Sequence, residues 1–274
     1  MTVKRGDNGE QVKRIQQALR DAGFDIVVDG IFGKQTEDAV RRFQEINGLD
    51  IDGIVGSEMG IALGILEVAT ANIMPDAVKE EAVRLAKQEL ARWFGKVETD
   101  PEMTPVLQEY YHMGVGESVS SADIQNATWQ ASLPWSARFI SWLMRRAGAD
   151  GTFAYSRAHK TYIAAAKRNR ERGDTNNPFW AFRVSEIAPE IGDLVCTARS
   201  GSGATYDNID SQQFRATHCD IVVAVEPNRL TVIGGNVDNR VGQNFVSTNE
   251  DGLIDQSGKQ SGYFAVIRLM KQLS

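Results

Sequence analysis

The turn Asp29-Gly30-Ile31-Phe32-Gly33 recurs as Asp52-Gly53-Ile54-Val55-Gly56. Glycine admits the positive φ that a compact turn requires, so each copy reverses the chain within a few residues. Each is followed by a hydroxyl residue, Thr36 or Ser57, suited to opening a helix. Ahead of the first turn, Val12, Ile15 and Leu19 have helical spacing, and Gly23 stops that helix. Between the turns, Ala39, Val40 and Phe43 form a second apolar stripe, with Glu37 and Asp38 in its first turn. A stretch that reverses twice this tightly can enclose only a small core. Residues 1–65 are therefore expected to form a three-helix miniature tied together by its two turns.

The same residues carry a resemblance. Arg5-Gly6-x-x-Gly9-x-x-Val12-x-x-Ile15-Gln16, Leu19-x3-Gly23, Val28-Asp29-Gly30-Ile31-Phe32-Gly33-x-x-Thr36, Ala39-Val40-x-x-Phe43-Gln44, Gly48-Leu49 and Asp52-Gly53-x-Val55-Gly56 together resemble the three-helix peptidoglycan-binding domain family. The resemblance covers nearly the whole segment and implies bacterial peptidoglycan as the partner. Where that family usually has a Thr-Trp or similar pair, this chain has Glu58-Met59. The departure bears on the last helix and on ligand strength.

Residues 66–78, with Asn72 and Pro75, are expected to be a connector, and residues 79–274 a second domain. Ala82, Leu85, Ala86, Glu89, Leu90 and Trp93 mark a long amphipathic helix that ends at Gly95. A shorter helical piece lies around 106–111. Pro134 and Gly148 bracket another helix, and an Ala- and Lys/Arg-rich one runs from about Ser156 to Arg172. After Pro189 the pattern turns to strands, at 193–197, 218–225, 229–233, 243–247 and 262–268. Helices first and antiparallel strands afterwards predict an α+β domain.

Bulk properties narrow the chemistry. A formal charge of −6, with only short basic clusters such as Arg145-Arg146 and Lys167-Arg168 on expected helix faces, argues against nucleic acid as a partner. No stretch is long and apolar enough for a membrane helix, and the N-terminal residues lack an apolar signal core. The expectation is synthesis in the cytoplasm, with any action at the periplasm or wall following holin-type or secretion-system export. Cys196 and Cys219 could pair in an oxidising compartment or sit as two buried thiols in adjacent strands. His112, His159 and His218 show no ligand spacing, so no metal is expected. No glycine loop suited to a phosphate appears, so no cofactor is expected either.

Ser136 falls in the first turn of the 134–148 helix, where backbone N–H groups favour developing negative charge. His218 opens a strand and could take the serine proton, and Asn236 or Asp220 could fix its tautomer. Asp220 lies two residues beyond His218 and so shares its strand face. Spacing alone leaves a serine cap and a core histidine as the alternative. His159 lies on a helix and is a lesser candidate for the site, with a packing or surface role as the alternative. Glu89, on the apolar side of its helix, is a further candidate acid. Trp135 and Trp129 could line a groove or simply pack.

Pro134-Trp135-Ser136-Ala137-x-Phe139-Ile140-Ser141-Trp142 resembles the nucleophile helix of the CHAP and NlpC/P60 papain-like cell-wall amidases. Ile191-Gly192-Asp193-Leu194-Val195 resembles their first strand. His218–Val225 and Val232–Asn236 resemble the histidine and polar-residue strands. The resemblance implies cleavage of a peptidoglycan amide, either N-acetylmuramoyl-L-alanine or a stem-peptide bond, by a phage lysin or an injected effector. An effector would imply an immunity protein as a second partner. The family nucleophile is cysteine, whereas this chain has Ser136. Residues 80–274 are also similar to an uncharacterised bacterial domain family in which Pro-Trp-Ser is the usual form. Two other readings compete: an inactive wall-binding protein, and a glycosidase, for which Glu89 and Asp220 are the pair to test.

Overall fold

The computed structural model describes residues 2–47, 49–63, 65 and 75–271. Its first part packs α1 (Glu10–Asp21), α2 (Lys34–Asn47) and α3 (Ser57–Leu63) around Val12, Ile15, Leu19, Phe32, Val40, Phe43 and Val55. Both repeated turns are held from within by a buried glutamine. Gln16 Nε2 donates to Asp29 Oδ1 at 2.8 Å and to the Ile31 carbonyl at 3.1 Å, and its Oε1 accepts from Gly30 N–H at 2.8 Å. Gln44 repeats this on Asp52 at 2.7 Å, Ile54 at 2.9 Å and Gly53 at 2.9 Å. Gly30 and Gly53 sit at φ 78° and 76°, where a side chain would be strained.

Two expectations shift here. The helix assigned to Thr36 starts earlier, at Lys34, directly after Gly33. Thr36 therefore lies inside its first turn, where its hydroxyl accepts from Gln16 Nε2 at 3.1 Å. Gly48 of the Gly48-Leu49 motif lies outside the described residues.

Most of the expected connector, residues 66–74, also lies outside the described residues, and its last four residues open α4 (Pro75–Arg92). Then come α5 (Thr104–Val115), the short α6 (Ser121–Ile124) and α7 (Ala127–Ser132), α8 (Ser136–Arg146) and α9 (His159–Glu171). The strands β1 (Phe179–Arg183), β2 (Leu194–Ala198), β3 (Thr217–Glu226), β4 (Arg229–Val237), β5 (Arg240–Ser247) and β6 (Tyr263–Leu269) form one antiparallel sheet in the order β1-β6-β2-β3-β4-β5. The class is α+β. Sequence periodicity does not mark β1, which is only five residues long and has aromatic residues at both kinds of alternate position.

The sheet is covered on both faces. Leu194, Cys196, Cys219, Ile221, Ile233 and Ile267 face the helices, and Val195, Val222, Val232, Val246 and Val266 form a core on the other side. Cys196 and Cys219 are cross-strand partners and form a disulfide, which decides between the two possibilities left open for them. The helical layer centres on α8, in which every residue from Ser136 to Met144 is buried. Gly114 of α5 lets that helix approach: a Cβ there would lie 2.6 Å from the Arg138 carbonyl.

The first module seats on the start of α9. Ser156 Oγ donates to the Asn47 carbonyl at 2.6 Å, as does Thr161 Oγ1, and Arg157 donates to the Leu49 carbonyl at 3.1 Å. Arg168, further along α9, reaches the Ala62 carbonyl.

Candidate active site

The first residue of α8 and the first residue of α9 meet at the floor of a cleft of about 870 Å³. Ser136 Oγ lies 2.7 Å from His159 Nε2, and the other ring nitrogen of His159 bonds the Tyr162 hydroxyl one turn along α9. Ser136 is 3% exposed and His159 4%, yet both line the cleft. Burial, followed by the charges of His218 and Arg199, holds the His159 imidazole well below its ordinary value near 6.5. His159 is therefore neutral at neutral pH. Burial first, and then the Asp220 charge, pushes Tyr162 well up, so its hydroxyl keeps its proton.

This corrects the expected partner of Ser136. His218 was expected to accept the serine proton, but both of its ring nitrogens are occupied elsewhere. Nε2 lies 2.8 Å from Asp220 Oδ1, and Nδ1 lies 3.2 Å from Arg199 Nη2. A guanidinium can only donate, so Nδ1 accepts and Nε2 carries the hydrogen given to Asp220. His218 instead forms one wall around His159, with ring centroids 5.1 Å apart at 62°. His159, a lesser candidate beside His218, is the histidine that touches the serine. The signal that could have found it is its place at the first position of an alanine-rich helix, with Tyr162 three residues on.

The remaining candidates separate. Asp220, not Asn236, bonds His218. Asn236 lies inside β4, not after it, at φ 53°, and lines the cleft. The preceding glycines have steric reasons. A Cβ on Gly234 would sit 1.7 Å from Asp220 Oδ1, and one on Gly235 would sit 2.5 Å from Phe139 Cβ. They let the His218–Asp220 pair and α8 both close onto β4. Trp135 does not line the groove: it is fully buried, stacked on Trp93 at 5.1 Å, and donates from Nε1 to Glu98 at 2.7 Å. Trp129 packs on Tyr111 and lines a second groove of about 380 Å³. Glu89 is buried beneath the Tyr110 hydroxyl and away from the cleft lining.

Sequence reading missed several cleft residues. Glu98 lines it, and burial raises its carboxyl against the opposing bond from Trp135. Glu45, from α2, brings the first module into the cleft wall. Arg138 and Arg157, which also line the cleft, share Glu117, at 2.6 Å and 3.3 Å. Lys160, Arg199 and Arg215 complete its cations. No group of three or more potential metal ligands occurs among the described residues.

Comparison with known proteins places this geometry in a family. Residues 94–268 match the family described as "Uncharacterized protein conserved in bacteria (DUF2272)". The chain belongs to this family. The DUF2272 match covers α5–α9 and nearly the whole sheet, and so includes Ser136, His159 and His218. Residues 8–63 match the family described as "Putative peptidoglycan binding domain", in line with the resemblance of the first module. An N-acetylmuramoyl-L-alanine amidase of Mycobacterium tuberculosis is 33% identical over 118 residues, 42% of this chain and 29% of that protein. A spore cortex-lytic enzyme of Bacillus cereus is 44% identical over 57 residues, 20% of this chain and 22% of that protein. A zinc D-Ala-D-Ala carboxypeptidase of Streptomyces albus G is 42% identical over 60 residues, 20% of this chain and 23% of that protein. The chain thus spans less than a third of the length of each of these relatives. No solved structure matches.

Proposed function

We propose that this DUF2272 protein is a peptidoglycan hydrolase that grips the wall with its first module and cleaves an amide bond at Ser136. The observation that carries the reading is the 2.7 Å bond between Ser136 Oγ and a buried, neutral His159 on the floor of a large cleft. The match of residues 8–63 and the relatives named for wall chemistry support peptidoglycan as the substrate. Those relatives carry differently named activities, so the choice of amide comes from the serine–histidine pair and not from them. Tethering to the wall raises the local substrate concentration without any new contact in the cleft.

In this reading His159 donates Nδ1–H to the Tyr162 oxygen, which leaves Nε2 free to accept the Ser136 proton. Ser136 Oγ attacks the amide carbonyl carbon, and the carbonyl oxygen takes up negative charge facing the first-turn N–H groups of α8. His159 then passes its proton to the leaving amine as the C–N bond breaks. Water, deprotonated by the same nitrogen, releases the acyl group and returns the hydrogen to Ser136. His218, held between Asp220 and Arg199, keeps its ring against His159 and takes no proton from the serine. The kinship to papain-like amidases is part of the same proposal, with serine as the natural nucleophile. Action at the wall places the protein outside the cytoplasm, in a lysin or injected-effector role, and the Cys196–Cys219 disulfide suits such a compartment.

Mass spectrometry of purified peptidoglycan digested by wild type, Ser136→Ala and His159→Ala tests this reading. New amines and carboxylates from wild type alone are expected, and their masses name the bond. Intact polymer in all three samples, with retained sedimentation on cell walls, leaves a binding protein. Reducing ends without new amines move the chemistry to a carboxylate, with Glu98 first.

A further inference from the structure

The cations of the cleft are not distributed like those of an ordinary protein surface. Arg138 and Arg157 are both committed to Glu117. By contrast, Arg199 and Arg215, from the segment between β2 and β3, make no ion pair among the described residues. Arg199 spends one nitrogen on His218 Nδ1, at 3.2 Å. Arg215 reaches only the Ser202 and Gly203 carbonyls and the Gln213 side chain. Lys160, buried on α9, donates to the Ser211 carbonyl at 2.9 Å.

A second observation falls at the same end. Arg215 Nε and Thr217 Oγ1 are buried and make no hydrogen bond among the described residues, although both residues line the cleft. Buried polar atoms without partners are uncommon, and each represents binding capacity left unused. Beside them, Phe214 lines the cleft with 62% of its surface exposed, which offers an apolar wall next to guanidinium groups that have no carboxylate partner among the described residues. Glu98, Asn236 and Asn239 also line the cleft.

We infer that Arg199 and Arg215 form a carboxylate subsite next to Ser136, so that the cleft selects acidic peptides whose free carboxylate lies close to the cleaved amide. The inference rests on the reading above, in which the cleft takes peptidoglycan stem peptides, and it names which chemical form of them is bound. Guanidinium groups grip carboxylates with paired, charge-assisted hydrogen bonds, and a carboxamide cannot replace that pairing. A stem peptide with free carboxylates is therefore held in register over the Ser136–His159 pair, and an amidated one is not.

The test uses the full chain carrying Ser136→Ala, so that binding is read without turnover. A stem tetrapeptide with free carboxylates and the same tetrapeptide with those groups converted to carboxamides are titrated calorimetrically at low salt. The free acid is expected to bind about 30-fold tighter, the scale of a lost charged hydrogen bond. Added Arg215→Gln, which leaves His218 untouched, should shrink the gap to a few-fold, and Arg199→Gln with Arg215→Gln should abolish it. Equal binding of the two peptides, binding of neither, or an unchanged gap in the double variant overturns the subsite. Turnover by wild type is scored separately. Its absence with the preference intact counts against the hydrolase reading and leaves the subsite standing.

Discussion

The two modules of this chain use polar side chains in opposite ways. In the first, Gln16 and Gln44 each close a turn that lies a short way along the chain, and each spends both ends of its amide on it. Around Ser136, the partners come from α8, α9, β3 and the segment after β2, and polar capacity remains unused at Arg215 and Thr217. A network built for stability is local and saturated. One built to bind or react is assembled from distant elements and keeps donors in reserve, because the ligand must supply the last partners.

The sharpest way to test that contrast is to remove the reacting pair. Ser136→Ala and His159→Ala should each lower turnover about 10⁴-fold, and the double variant scarcely further, since the two act as one unit. Neither should change sedimentation on cell walls. His218→Ala should cost far less, about tenfold, in the same fragment-release assay. A loss as large as that of Ser136→Ala would restore His218 as the base.

Next in size come the saturated clamps. Gln16→Ala strands the buried Gly30 N–H and removes the bonds to Asp29 and Ile31, at a cost of roughly 2–4 kcal/mol. Gln44→Ala should cost about the same, because its network repeats the first. Denaturant melts should show the two losses as near equals, and wall sedimentation should fall with both. Very different losses would mean that the repeated turns do not carry equal weight.

Gly234→Ala should follow, at about 1–3 kcal/mol, because the new methyl displaces the Asp220 carboxylate. It should also slow turnover by loosening His218. Full activity at reduced stability would show that the His218–Asp220 pair is structural only.

The smallest effect is in pH. His159 is held well below 6.5 in the folded state, so kcat/KM should keep its plateau below pH 6.5 and fall only on further acidification. The same depression works against the fold. The unfolded chain binds the proton first, so this contribution to stability is full above pH 6.5 and is lost as pH falls towards the folded value. An acid limb centred at 6.5 or above would exclude His159 as the base.

Much of this protein was legible along the chain. Asp29–Gly33 and Asp52–Gly56 announce the first module because turn chemistry is local and glycine is needed wherever φ is positive. The Pro134–Gly148 helix, the strands after Pro189 and the shared face of His218 and Asp220 follow from periodicity alone. What the sequence left open is which of two histidines Ser136 meets. The 82-residue step to His218 agreed with the order of elements, but only the seating of α8 and α9 on the same sheet puts His159 at 2.7 Å. The same holds for Trp135, whose neighbours Trp93 and Tyr110 pull it into the core, and for Cys196 opposite Cys219, paired by strand register. Local backbone preferences are written in neighbouring residues. Contacts between elements depend on how whole helices and strands pack, and that was decided only in three dimensions.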